Sequence, residues 1–317
     1  MVWKHKLWII AVCIAGLVLP SGFTTGGPEP ATKAQLGELL FFDPVLSKDR
    51  TVSCASCHLP QFAFADTAVF SKGINGKLTT RNTPGITNQS ARPNYFWDGR
   101  AGTLEEQALQ PIISPDEMGL PAQEAVARLN ADERYLKAFK QLFNSEPTEK
   151  NMLQAIAAFE RTLETANSPY DRYINGDDNA MSPEAIRGRL LFIGKANCSN
   201  CHSGEDFTAD RFKNIGLYNG RQLKDPGRFN VTRDSAHMGF FKVPSLRNVA
   251  VTAPYMHNGM FSTLRKVIQY YNKPDAFVQD GVKRDLSLNR PLDLTDQEVS
   301  DIEAFLHALT DDRFTKR

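Results

Sequence analysis

The chain of 317 residues holds only five cysteines, and four of them sit in two tight pairs, Cys54 with Cys57 and Cys198 with Cys201. The fifth, Cys13, is left alone, so no pair remains for a structural disulfide. Histidine is also scarce. There are six, and none lies between His58 and His202, which excludes a multi-histidine metal centre from that stretch. No methionine follows Met260, so the stretch beyond it can offer no thioether ligand. Neither sign of charge dominates, with 37 basic against 36 acidic side chains and a net charge of +1. That balance argues against a nucleic-acid partner held by bulk charge. A long apolar run is missing too. The longest, Leu7 to Leu19, falls short of the ~20 residues a membrane-spanning helix needs. It follows Lys4 and Lys6 and ends at Pro20, Ser21 and Gly22, the pattern of a secretory signal peptide over residues 1–22. The mature chain is then expected to begin between Ser21 and Ala31, in the periplasm. An uncleaved membrane anchor is the alternative. A lipid anchor on Cys13 is disfavoured by the large Val12 before it and by its place inside the run.

What is present is a motif in two copies. Cys54-Ala55-Ser56-Cys57-His58 and Cys198-Ser199-Asn200-Cys201-His202 both read Cys-x-x-Cys-His, the attachment pattern of a c-type haem. The two thiols add to the two vinyl groups as thioethers, and the following histidine supplies an axial nitrogen to the iron. A four-cysteine zinc ribbon is the competing reading. It requires the pairs to converge in space and leaves both histidines unexplained. Covalent haem attachment fits export as well.

A weak tandem repeat organises the rest. Ala34 to Phe41 precedes the first motif and Ala185 to Phe192 the second, both with apolar residues at helical spacing. Ser182 and Pro183 predict an N-cap and first helical residue for the latter. After the motifs, Pro84, Asn88, Tyr95, Phe96, Trp97, Asp98, Gly99, Thr103 and Leu104 parallel Pro244, Asn248, Tyr255, Met256, His257, Asn258, Gly259, Thr263 and Leu264 at a constant offset of 160. Trp97 thus stands where His257 stands in the other half. Periodicity predicts helices over 122–144 and 149–163, separated at Pro147. Residues 175–179 read as an exposed linker, and 72–80 and 216–235 as loops. Thr295 with Glu298 predicts a capping box, followed by an apolar face of Ile302, Phe305, Leu306 and Leu309. Strand signals are sparse. The expected fold is mainly α: two tandem cytochrome c-like domains over 31–165 and 166–317, each around one haem, with the terminal helix free to pack on the first.

These residues resemble the bacterial di-haem cytochrome c peroxidases, a family that includes the MauG enzyme of methylamine utilisation. The resemblance runs from about Leu36 to Leu309. It rests on both haem motifs, on Tyr95-Phe96-Trp97-Asp98-Gly99-Arg100, and on Gln107 ten residues before Glu117. Lys242 to Asn248 and Pro254-Tyr255-Met256-His257-Asn258-Gly259 complete it. It implies that His58 is the proximal ligand of a peroxide-binding haem. Glu117 then moves the proton of hydrogen peroxide, and Gln107 helps orient the substrate. By itself, Ser114-Pro115-Asp116-Glu117 reads only as a helix start with acids at the positive dipole end. The resemblance makes Trp97 an electron relay between the haems, against a plain core aromatic. It also implies one calcium ion on the Asn82 side chain and the Thr252 and Pro254 carbonyls, hard oxygen donors that no acidic cluster advertises.

Two positions depart from the ordinary peroxidases. Their loop after the first motif carries a histidine that caps the resting haem. Here Val69 to Gly76 contains none, so that haem is expected to be five-coordinate or water-ligated. Their second haem has a distal methionine fourteen residues after the position of His257. Here that residue is Tyr271, as in MauG, making His202 and Tyr271 the expected axial pair. Tyr270 is the competitor, and Met238 a weaker one. Phenolate favours ferric iron and methionine raises the potential, so this haem is expected to store an electron poorly. His257 is expected to order propionates or domain contacts, and His237 and His307 to be structural or solvent-facing.

The leading function is an exported peroxidase reducing hydrogen peroxide to water with electrons from a small cytochrome or copper protein. A MauG-like enzyme that oxidises side chains of a partner protein is the second reading, and a di-haem electron carrier the third. The same surface leaves room for a homodimer.

Overall fold

The computed structural model describes residues 29–315, and the signal peptide expected over 1–22 lies outside them. No helix among the described residues is long and apolar enough to cross a membrane. Ten α-helices follow in chain order: α1 (Lys33–Phe42), α2 (Leu104–Ile113), α3 (Ala122–Ala131), α4 (Glu133–Phe143), α5 (Glu149–Glu160), α6 (Pro169–Ile174), α7 (Pro183–Ile193), α8 (Phe229–Thr232), α9 (Leu264–Asn272) and α10 (Asp296–His307). The one sheet among the described residues is a pair of two-residue antiparallel strands, β1 (Phe212–Lys213) and β2 (Phe241–Lys242), with Phe212 opposite Lys242. The molecule is mainly α in two tandem modules, as the sequence implies.

Each module is built on one helix crossing. In the first, α1 meets α5 so closely that a Cβ on Gly37 would lie 1.8 Å from the Ala155 carbonyl oxygen. In the second, α7 meets α10 and a Cβ on Gly188 would lie 1.8 Å from the Asp301 oxygen. Only glycine permits either contact. Around the first crossing, Leu36, Leu40, Phe139, Met152 and Ile156 are buried in one core. Around the second, Phe192, Phe207, Ile302, Phe305 and Leu309 form another. Each such side chain contributes roughly 1.5–3 kcal/mol of burial.

The repeat seen in the sequence is a repeat in space. Tyr95 bridges Ala101 as Tyr255 bridges Phe261. Thr103 caps α2 by accepting from the Glu106 amide, and Thr263 caps α9 by accepting from the Lys266 amide. Phe96 and Met256 share a positive φ, 65° and 71°.

Several expectations need correction. The stretch 122–144 is two helices, because Asp132 leaves helical geometry and caps α4, its Oδ1 accepting from the Arg134 amide at 3.0 Å. The helix expected over 149–163 ends at Glu160. Residues 216–235 contain α8, and 72–80 contain a 3-10 turn over Ile74–Gly76. Glu117 sits on a turn after α2, not at a helix start, since its amide donates back to the Ser114 carbonyl at 3.1 Å. The terminal helix packs on α7 of its own module, where Gly188 allows the closest approach. Residues beyond it reach the first module, where the Arg313 guanidinium donates to the Glu164 carbonyl at 2.7 Å.

The capping box at Thr295 and Glu298 and the Ser182 cap of α7 form as expected. Polar bonds join the modules. Arg92 binds Asp206 and, at 3.0 Å, Asp210, and the Asn248 amide donates to the Thr87 and Thr165 hydroxyls, each at 3.1 Å.

Candidate active site

Both motifs fold the same way. Each begins as a 3-10 turn, Cys54–Ser56 or Cys198–Asn200. The histidine amide then donates to the carbonyl of the first cysteine at 2.9 Å in both copies. The chain next turns through a left-handed phenylalanine, Phe64 (φ 58°) or Phe207 (φ 53°). Its carbonyl accepts from the histidine Nδ1–H, at 2.7 Å for His58 and 3.0 Å for His202. This bond fixes the tautomer and leaves Nε2 with its lone pair free. Burial pulls both imidazoles below their ordinary range, which favours the neutral ring that an iron can bind.

A continuous cavity of about 620 Å³ runs through the two modules and is lined by all six motif residues just named as thiols or imidazoles. Each module presents two thiols and one imidazole to it. Burial pushes the Cys54 and Cys198 thiols up to about 12 and Cys57 to about 11. Among the described residues no three His, Cys, Asp or Glu side chains converge on one point. The zinc ribbon is therefore excluded. Lys242 adds a further sign of an anionic occupant. It lines the cavity, burial lowers its ammonium to about 8, and it makes no ion pair among the described residues. A haem carries carboxylates that such a cation can meet. The residues fit two c-type haems.

In the first module, Gln107 and Pro111 from α2 and Glu117 from the following turn line the cavity. Burial raises the Glu117 carboxyl above its usual range, against the opposing pull of Arg100. The loop without histidine is pinned beneath it. The Ile74 amide donates to the Glu117 carbonyl at 2.8 Å, and a Cβ on Gly73 would lie 2.1 Å from the Asp116 oxygen. Trp97 lies at the junction of the modules. Its Nε1 donates to the Asn82 carbonyl at 2.8 Å, and its own carbonyl accepts from the Lys242 amide at 2.7 Å. His257 stands edge-on to it at 6.4 Å and stacks on Phe241 at 3.7 Å. It takes the domain-contact role, its carbonyl accepting from the Asn82 amide at 2.7 Å.

In the second module, Tyr271 from α9 lines the cavity with His202, and burial pushes its phenol far above the ordinary range. Tyr270 points elsewhere, its hydroxyl donating to the Ile215 carbonyl. Met238 does not line the cavity. Asn82, Thr252 and Pro254 do, and the Asn82 amide nitrogen is bound to the Ala68 and Val69 carbonyls at 3.1 and 3.3 Å, which leaves its oxygen free.

Comparison with known proteins agrees with this geometry. The di-haem cytochrome c peroxidase family model matches residues 31–179, and the cytochrome c model matches 185–310. The methylamine utilization protein MauG of Methylorubrum extorquens is 38% identical over 286 residues, covering 89% of this chain and 79% of that one. The cytochrome c551 peroxidase of Nitrosomonas europaea is 37% identical, covering 90% and 82%. Among solved structures, a MauG-like protein associated with microbial copper homeostasis superposes with a TM-score of 0.82 at 36% identity, covering 90% of this chain and 93% of that one. The diheme peroxidase BthA from Burkholderia thailandensis gives 0.79 at 28%, covering 90% and 88%. The chain belongs to the di-haem cytochrome c peroxidase family.

The cavity brings out three lining residues to which the sequence reading gave no role. Pro111 stands at the repeat offset of 160 from Tyr271, so the alignment itself could have found it. Lys242 likewise aligns with Asn82. Glu160, at the end of α5, carried no signal of its own among the many helix acids.

Proposed function

We propose that this di-haem peroxidase reduces hydrogen peroxide at the first haem and receives electrons, from a small cytochrome or copper protein, through the second. The observation that carries this is the unequal pair of equivalent positions on α2 and α9. Pro111 offers no ligand atom to the first cavity, and Tyr271 offers a phenol to the second. When bound, the haems supply redox-active irons that pass electrons from the donor to peroxide. His58 and His202 would hold those irons through Nε2, and Tyr271 would close the second. Glu117, partly desolvated, takes the proton from one peroxide oxygen and returns it to the other. The Gln107 amide orients the substrate beside it. Trp97, held at both its ring nitrogen and its carbonyl, conducts between the modules. The Asn82 side-chain oxygen with the Thr252 and Pro254 carbonyls forms a hard-donor set for one calcium ion. Signal-like residues 1–22 and covalent haem favour the periplasm.

The MauG-like reading draws on Tyr271 and on the lack of histidine from Val69 to Gly76. One experiment separates the two. Peroxide is added to ferric protein and to protein reduced by one electron, with reduced small cytochrome as donor. Rapid peroxide-dependent oxidation of the cytochrome is expected. Peroxide consumption with negligible cytochrome oxidation would favour the partner-oxidising reading. Lack of reaction in both states would leave only an electron carrier.

A further inference from the structure

Glu160 is a buried carboxyl that none of these roles uses. It occupies the last position of α5 and is 6% exposed, yet it lines the cavity with Glu117 and Gln107. Its carboxyl makes no hydrogen bond or ion pair among the described residues. The nearest cation, Arg161, is turned outward into a two-bond pair with Glu105 at 2.9 and 3.1 Å. The other titratable groups around it are Cys54 from the motif turn and Tyr95 from the loop before α2. The repeat supplies an internal control. Ile156, Phe159 and Glu160 on α5 correspond to Ile302, Phe305 and Leu306 on α10, and Ile302 and Leu306 line the second cavity as Ile156 and Glu160 line the first. A cytochrome c module therefore folds with leucine here. The carboxyl is present only in the module with the open distal position.

Reduction of peroxide consumes two protons: H2O2 + 2 H+ + 2 e− gives 2 H2O. The O–O bond breaks and two O–H bonds form, with both electrons coming from the redox-protein donor. Glu117 relocates a proton that peroxide already carries, so it supplies neither of the two. We propose that Glu160 is a second proton donor of the first haem pocket, giving up a proton as water forms and regaining it from solvent between turnovers. The assignment rests on the peroxidase reading. Burial without a partner favours the neutral acid and raises this carboxyl to about 8, against the pull of Arg161 and with the help of Glu105. Burial raises both carboxyls that line this part of the cavity, and a carboxyl kept neutral at working pH can act as a proton donor.

Infrared difference spectra and peroxide kinetics of the haem-loaded protein test this. The wild type minus Glu160→Gln spectrum at pH 7 is expected to contain a protonated-carboxyl C=O band that vanishes as pH rises through about 8. Glu160→Gln and Glu160→Leu, the second being the residue of the other module, are expected to lower peroxide turnover at pH 7 about 100-fold. Glu160→Asp is expected to restore part of it, with a displaced alkaline limb. Carboxylate bands alone at pH 7, or wild-type turnover with an unchanged alkaline limb in both neutral variants, would overturn the assignment. A wild type that fails to reduce peroxide at all would instead sink the peroxidase reading, while the infrared spectrum would still score the proton on Glu160.

Discussion

The same turn of the same helix presents Pro111 to one haem cavity and Tyr271 to the other. One turn of the crossing helix presents Glu160 to the first and Leu306 to the second. The surrounding frame hardly differs. Both modules use a threonine N-cap, a left-handed phenylalanine under the proximal histidine and a glycine at the helix crossing. The frame is held by backbone geometry, which tolerates little. The chemistry is set by a few cavity side chains that the frame does not need. On the proposed function, differences at such positions are what separate a reactive half from a conductive one.

The most direct way to break the asymmetry is to disable the reactive half. Glu117→Gln keeps the shape of the side chain and removes the proton shuttle. A fall of about 10²–10⁴ in kcat/KM for peroxide is expected. It is measured with reduced small cytochrome, alongside an unchanged spectrum of the second haem. A loss below tenfold would show that the carboxyl is dispensable and that the two halves differ less than proposed.

The glycine crossings test what the halves share. Gly37→Ala and Gly188→Ala each force a methyl into a backbone carbonyl. Each is expected to cost about 3 kcal/mol or more, because neither helix can withdraw without opening its core. Chemical denaturation followed separately at the two haem bands checks this. The crossing is structural in both halves only if both substitutions have comparable effects.

The axial positions test where the halves diverge. Tyr271→Phe and Tyr271→Met are expected to raise the midpoint potential of the second haem, since each removes a phenol that, once deprotonated on the iron, would favour its ferric state. Pro111→Tyr is expected to move the first haem toward the low-spin spectrum of the second and to suppress peroxide binding. An unchanged midpoint in both Tyr271 variants would remove that residue from the ligand set.

How much of this could be read beforehand depended on whether the signal was local. The haem motifs, the Ser182 and Thr295 caps and the offset between the halves are contiguous patterns, and each appears as expected. The break at Asp132 was missed because apolar periodicity continues across it while its side chain caps the next helix. Glu117 was misplaced on a helix because Ser-Pro-Asp-Glu is a good N-terminal sequence, yet Gly119 lets the chain turn, its amide donating to Ser114 at 2.8 Å. Glu160 was invisible because its burial depends on α5 meeting α1 and the motif turn, a tertiary fact. Pro111 was legible in principle. The repeat alignment stopped at Leu104, and extending it by two more turns would have set Pro111 against Tyr271.

The smallest expected effect concerns the crossings themselves. At the positions flanking the glycines, the first module has Leu36 and Ala155, and the second has Arg187 and Asp301. Arg187 holds Asp301 by two bonds of 2.9 Å. The hydrogen bonds from Arg187 draw the Asp301 carboxyl below its ordinary range, outweighing the opposing effect of burial, with Gln297 helping. A carboxyl with a lowered value in the folded state stabilises the fold above its unfolded value, about 3.9, and that contribution is lost as pH falls through the folded value. The crossing of the second module therefore weakens in acid, and that of the first does not. On acidification below about pH 4 the band of the second haem should change first. Replacing Arg187 by leucine and Asp301 by alanine, the pair present in the first module, should narrow the gap. A gap unchanged by the double replacement would mean that acid acts on the second module elsewhere, at its other carboxylates or at the contacts between the halves.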